Sequence, residues 1–248
     1  MEPDFPELEL LDYPDIDRRH IEAMRALGEK LGRPLSILEA GCGRGWTLDM
    51  TGIEYTLTGV DLDPEALESR KNKIRDLDVA IPGDLCTVDL PEASFDVVYS
   101  KFVLEHVERA DLVLQRIVRW LRPGGLMIVV FPARESARSY YTRLLPFWCH
   151  LWFYRYVLGV KLAGRQGHPP YPTHFHPILG GKRFCRFLIE NGMNCTGRFA
   201  GSYLRKWSLG AFVQRAAVRP ISIVTLGKLT ADYFNISYVA VKDAQDQR

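Results

Sequence analysis

Cysteine is sparse in this chain: Cys42, Cys86, Cys149, Cys185 and Cys195, an odd total with no C-x-x-C pair. That spacing excludes a disulfide framework or a structural zinc cluster and fits a reducing compartment. Long apolar runs are also missing. The nearest, 144–160, is interrupted by Pro146, His150 and Arg155, short of the roughly 18–20 apolar residues of a membrane span. Charge of one sign is not in excess either: the net is +2, which gives no electrostatic argument for a nucleic-acid partner. The opening residues, MEPDFPELELLDYPDIDRR, are acidic and proline-broken, unlike a secretory leader. No internal repeat or low-complexity tract is found. The expectation is a cytoplasmic protein, and 248 residues suffice for one α/β core but not for two large domains.

What is present is a rhythm. Residues 17–31 place Ile21, Met24, Leu27 and Leu31 at helical spacing, stopped by Gly32 and Pro34. Strands are expected at 35–40, 56–63, 79–85, 94–102 and 126–132, the last after a turn at RPGG. Helices are expected at 64–74, opened by Asp63 before a proline, and at 110–121. Alternation of this kind predicts a parallel, doubly wound sheet, and the unbroken apolar run LMIVVF suits a strand buried on both faces. After residue 133 the rhythm breaks. An aromatic stretch (138–160) and a loop rich in proline and histidine (164–179) precede a helix at 182–192, which Gly192 would cap. Late strands at NCTGRFAG and YFNISYVAV flank a helical stretch near 204–217.

The stretch ILEAGCGRGWT (37–47) carries a glycine loop directly behind the first strand. Loops of this kind hold a dinucleotide or S-adenosylmethionine. The dinucleotide fingerprint GxGxxG would put its third glycine at Trp46, but the glycine comes one position early, at Gly45. A GxGxG turn preceded by Glu39 suits a ligand without a pyrophosphate and with cationic groups. Asp61 closes the next strand about 20 residues on, where a carboxylate can take both ribose hydroxyls. Both cofactor classes use that position. Asp84, ending the third strand, is placed to accept from an adenine amino group.

Four segments in order, ILEAGCGRGWT, LTGVDLDPEAL, ASFDVVYSKFVLEHV and LVLQRIVRWLRPGGLMIVVFP, make the chain resemble the class I S-adenosylmethionine-dependent methyltransferases of the methyltransferase-11 type. The resemblance runs from about 37 to 133. It implies a Rossmann-like sheet of seven strands in the order 3-2-1-4-5-7-6, the last antiparallel, with S-adenosylmethionine as cofactor. It also implies that Glu39, Gly41, Cys42 and Gly43 border the methionine part, Asp61 and Leu62 the ribose, and Asp84 and Leu85 the adenine. Ser100 and Lys101 would lie at the strand end facing the methyl group. One domain is expected throughout: a helical extension (1–34), the cofactor core (35–133), an insertion over the acceptor (134–180) and a C-terminal completion of the sheet (181–248).

The acceptor side is less legible. His106 follows the fourth strand, where ligands sit in open α/β sheets, so it is the base candidate, with loop packing as the alternative. His168, Tyr171, His174 and His176 form a second group. The alternation His174-Phe175-His176 would put two imidazoles on one side, as a metal site needs. No neighbouring Cys or Asp completes such a site, so no metal is expected, and Tyr171, His174 and His176 read as acceptor-side residues or an ordinary loop. Asp96 reads as structural and Glu105 as a helix-start residue. The aromatic segment 139–162 can cover an apolar acceptor, lie on a membrane surface, or pack into the core or a homodimer. A second apolar, basic segment spans 206–229. The leading expectation is methylation of a small, apolar, aromatic or lipid-like acceptor, on oxygen before nitrogen or carbon, in biosynthesis. The alternatives are a catalytically silent cofactor-binding partner or sensor, and an NAD-dependent oxidoreductase.

Overall fold

Strand β2 (Leu35–Ala40) and its parallel neighbour β5 (Phe95–Lys101) form the centre of an eight-stranded sheet. The computed structural model describes residues 5–157, 159–165, 170–201, 219–220, 223–226 and 228–244. From β2 the sheet runs outward through β3 (Tyr55–Asp61) to β4 (Val79–Pro82). From β5 it runs through β6 (Leu121–Pro132), β8 (Asn235–Lys242) and β7 (Met193–Gly201) to β1 (Leu8–Leu11). All pairings are parallel except those of β8, which is antiparallel to both β6 and β7. Without β1 this is the expected seven-strand order with its antiparallel last strand.

The extra strand is a departure. The N-terminal extension, expected to be helical, opens with β1, whose Leu8 pairs with Arg198 and Leu11 with Gly201. Four residues of LELL carry too little local signal; the strand exists because β7 offers an unpaired edge. Helix α1 (Tyr13–Leu31) follows, longer than expected because Pro14 sits in its first turn. Its buried His20 bonds through Nε2 to Ser237 Oγ at 2.7 Å, tying α1 to β8.

Two further expectations need correction. The helix expected over 64–74 is α-helical only over α2 (Pro64–Glu68), with Asp63 accepting from the Glu65 and Ala66 N–H groups. It then widens into a π-helical segment, Ser69–Ile74, that turns Arg70 inward. The RPGG turn lies within β6, where the pairing with β5 shifts register between Phe95 and Val97.

Both faces of the sheet are covered, as the apolar runs require. Met127, Val129 and Phe131 pack with α3 (Ala110–Trp120) and α6 (Gly181–Glu190), while Leu126 and Ile128 pack with α1. Past α6, Gly192 takes φ +62° and its N–H reaches the Ile189 carbonyl, a left-handed stop that glycine takes without strain. Asp96 anchors the opposite end of β5, accepting from both terminal Arg33 nitrogens and the Ser36 N–H and pairing with the Arg122 guanidinium at 2.8 Å. Burial works against that charge, but these donors overcome it and hold the carboxyl down to about 2. Asp96 is structural.

Candidate active site at the carboxyl edge of the sheet

The strands β2 to β6 run in one direction, so Ala40, Asp61, Pro82, Lys101 and Pro132 line one edge. The order reverses between β2 and β5, the place where open α/β sheets leave a crevice. The glycine loop forms one wall. Gly41 has φ +76°, and a Cβ there would stand 2.3 Å from Val103 Cγ2, so only glycine lets the loop pass the segment after β5. Gly43, at φ +51°, and Gly45 border open space. The Gly43 N–H donates to Asp61 Oδ2 at 2.8 Å and the Asp63 N–H to Oδ1 at 2.9 Å. Each carboxylate oxygen keeps a lone pair beyond these bonds. Leu62 beside it is 72% exposed.

Beneath the loop lies a network that sequence reasoning missed. Arg70, fully buried, donates through Nη1 to Glu39 Oε2 at 2.6 Å and to the Cys42 carbonyl at 2.7 Å, and through Nε to Asp76 Oδ1 at 3.1 Å. Asp76 in turn accepts from the Trp46 N–H. Glu39 therefore faces the buried Arg70 guanidinium. Burial raises its carboxyl above the ordinary range, and the Arg70 charge draws it back. Burial also lifts the Cys42 thiol to about 12, so it packs as a neutral group. No signal in the run SRKNK marked Arg70, because its partner stands 31 positions earlier.

Three expected placements change. Leu85 is buried in the core and has no face to offer a ring. Ser100 is buried and donates to the Ala40 carbonyl at 2.9 Å, bracing β2 against β5 instead of facing the crevice. Lys101 reaches Asp17 at 3.0 Å and clamps α1 over the strand end. Asp84 does stay exposed at the edge, although its Oδ1 accepts from the Cys86 N–H at 2.8 Å. No helix follows β2, since residues 41–54 are irregular, so no helix N-terminus awaits a pyrophosphate.

The other wall is the short 3₁₀ turn Leu104–His106. His106 Nδ1 lies 2.7 Å from the Pro172 carbonyl. A carbonyl only accepts, so Nδ1 carries the proton and Nε2 presents a lone pair. Burial lowers the His106 pKa below its ordinary value, which keeps the ring neutral near pH 7. Glu105 is buried with Oε2 unpartnered and is pushed up to about 8 by burial. Its backbone carbonyl accepts from the His174 N–H at 2.7 Å and from the Phe175 N–H, which docks the proline loop here. Tyr171 meets the His106 ring edge-on at 5.6 Å and lies within electrostatic reach of Arg44, Asp63 and Asp61. His176 Nδ1 accepts from the Ile178 N–H and caps a 3₁₀ turn. His174 Nδ1 stands 3.9 Å from Glu108 and His176 Nε2 stands 3.7 Å from Asp111, so the two imidazoles do not converge. His168 lies outside the described residues, as do the stretch 204–217 and most of 206–229.

The aromatic segment forms α4 (Ala137–Leu144), α5 (Phe147–Trp152) and a π-helical turn, Phe153–Val157. Core packing is overturned for its large rings: Trp148 is 67% and Tyr156 76% exposed. Among the described residues no helix is long and apolar enough to cross a membrane.

Residues 38–129 match the methyltransferase domain family. The chain is similar to malonyl-[acyl-carrier protein] O-methyltransferase of Erwinia pyrifoliae, with 30% identity over 118 residues, 44% of each chain. It is also similar to a sterol 4-C-methyltransferase of Caenorhabditis elegans, with 29% identity covering 40% of this chain and 32% of that one. It therefore spans less than half the length of these relatives. Among solved structures, geranyl diphosphate methyltransferase in complex with S-adenosylmethionine shares the fold at TM-score 0.53. That likeness has 14% identity and covers 91% of this chain and 86% of the other. The YcgJ protein of Bacillus subtilis does so at 0.53, with 12% identity, covering 92% and 97%. With the sheet order and glycine loop already described, residues 38–129 carry the signature of the class I S-adenosylmethionine-dependent methyltransferases, which matches over a third of the chain. S-adenosylmethionine is the cofactor of that class. The crevice fits it: two glycines facing open space, an oriented carboxylate and an exposed leucine on its rim.

Proposed function

We propose that this protein is an enzyme that methylates a small apolar acceptor, aromatic or lipid-like, on oxygen in preference to nitrogen or carbon, in a cytoplasmic setting that suits its five free cysteines. The observation that carries the oxygen reading is His106, whose tautomer leaves a lone pair on Nε2 to take a hydroxyl proton, with Glu105 Oε1 3.9 Å away. When bound, S-adenosylmethionine supplies a methyl group activated by its sulfonium. Glu39, Gly41, Cys42 and Gly43 border its methionine end, Asp61 accepts from the ribose hydroxyls with Leu62 beside it, and Asp84 stands at the adenine end. Tyr171 and His174 bound the acceptor and exclude water beside His106. The chain's main task is alignment, with reacting atoms held about 3–3.5 Å apart. The names of the relatives include both an O- and a C-methyltransferase, so the acceptor atom rests on His106. The irregular 41–54 segment speaks against a nicotinamide cofactor, and the His106 lone pair, which cofactor binding alone does not need, favours an enzyme over a silent sensor. Incubating the full chain with isotope-labelled S-adenosylmethionine and a metabolite extract tests the reading by mass spectrometry. A product heavier by one labelled methyl on an apolar hydroxyl compound is expected; label appearing only on polar amines would overturn it.

A further inference from the structure

The small net charge conceals a strong segregation. Residues 1–135 hold 26 of the 30 Asp and Glu. Between Glu135 and Asp232 the only carboxylate is Glu190, against 14 Lys and Arg, and from 136 to 189 there are eight Lys and Arg and no acid at all. The exposed aromatic segment lies inside that basic stretch. Arg143 and Arg155 are held by backbone carbonyls, and neither they nor the exposed Lys161 and Arg165 form an ion pair among the described residues.

We propose that the face carrying Leu144, Trp148, Trp152 and Tyr156 rests on the surface of an anionic phospholipid bilayer. Indole and phenol rings favour the boundary between headgroups and acyl chains, and flanking cations favour anionic lipid. The aliphatic members discriminate against RNA, because Leu144 and Val157 offer no ring on which a base could stack. A self-complementary dimer through this face would set like charge against like charge. Thr230 is bonded to Glu135 and Ala137 at the start of α4, and Leu226, four residues before it in sequence, is 90% exposed.

The segment is linked to the candidate site through Arg143. Arg143 of α4 lies 5.9 Å from the Phe175 ring, and the Phe175 N–H bonds the Glu105 carbonyl beside His106. Docking thus sets the acceptor wall against the bilayer, so that an apolar acceptor enters from lipid. This deepens the proposed function but is testable without methyl donor or acceptor, so failure of either leaves the other standing.

The test is co-sedimentation of the full chain with vesicles of phosphatidylcholine alone or mixed with phosphatidylglycerol at about three to one. Binding to the mixed vesicles is expected to be about tenfold tighter or more, with a blue shift of tryptophan emission. The triple variant Trp148→Ser/Trp152→Ser/Tyr156→Ser should lose about tenfold in binding. Lys161→Glu/Arg165→Glu should erase most of the preference for phosphatidylglycerol. All five side chains are exposed, and an unchanged thermal transition verifies folding. The proposal is overturned by absence of binding to mixed vesicles or by full binding of the triple variant. Tighter binding to a single-stranded RNA oligonucleotide, or a dimer that the triple variant turns into a monomer, overturns it equally.

Discussion

At His106 a single hydrogen bond to the Pro172 carbonyl both docks a loop and selects the nitrogen that can accept a proton. The two roles separate by substitution. His106→Asn keeps an N–H near the Nδ1 position and removes the base, whereas His106→Ala removes both. Turnover on a hydroxyl acceptor should fall about 10²-fold in either variant, while only the alanine should loosen the loop in thermal unfolding. A fall under about fivefold would leave His106 purely structural. In the wild type, activity should decline on the acid side with a midpoint below the ordinary histidine value of 6.5, because burial lowers the ring's pKa. Gly41 is a second decisive residue. Gly41→Ala forces a side chain into φ +76° and into Val103, so the loop shifts. The expected loss is about 1–3 kcal/mol of stability, with weakened cofactor binding; retention of both would show the crevice to be softer than drawn. Gly41 and Asp61 were legible in sequence because backbone geometry leaves few alternatives at such positions. Ser100 and Lys101 were not, because a strand end alternates its faces every residue and sequence does not fix the phase; nor was Leu85, which lies in a turn three residues past β4 where no periodicity holds.

Among elements, α1 and the π-helical segment after α2 carry the most buried charge chemistry. His20 of α1 is pushed down from 6.5 to about 3, by burial first and by the Lys101 charge second, with Asp17 3.9 Å away. A base with a depressed folded pKa binds fewer protons folded than unfolded between those two values. Stability should therefore be full above pH 6.5 and fall as pH drops, by about 2 kcal/mol at pH 5. His20→Gln, which keeps a donor toward Ser237, should flatten that stretch of a denaturant-stability profile; an unchanged slope would place the acid sensitivity elsewhere. Arg70→Met would strand Glu39 as a buried carboxylate, with an expected loss of about 3–5 kcal/mol by thermal unfolding. A loss under about 1 kcal/mol would mean that Glu39 is neutral without Arg70. Elements whose burial is local were readable, such as LMIVVF, buried on both faces. β1 and the inward turn of Arg70 were not, since each is made by a partner far away in sequence.

The whole molecule divides by chemistry. Its first 135 residues are acidic and build a cofactor crevice from short-range signals that a sequence displays. The following stretch is basic and aromatic and builds the wall opposite the glycine loop from loop docking on Glu105 and His106, which no periodicity announces. The account depends on S-adenosylmethionine seating against the glycine loop with Asp61 on its ribose, and calorimetric titration of the full chain measures that directly. Wild type should bind S-adenosylmethionine and give no heat with NAD, and Asp61→Ala should lose well over tenfold, roughly, as buried hydroxyls lose their acceptor. Binding by Asp61→Ala within about threefold of wild type, or heat with NAD in place of S-adenosylmethionine, would contradict it.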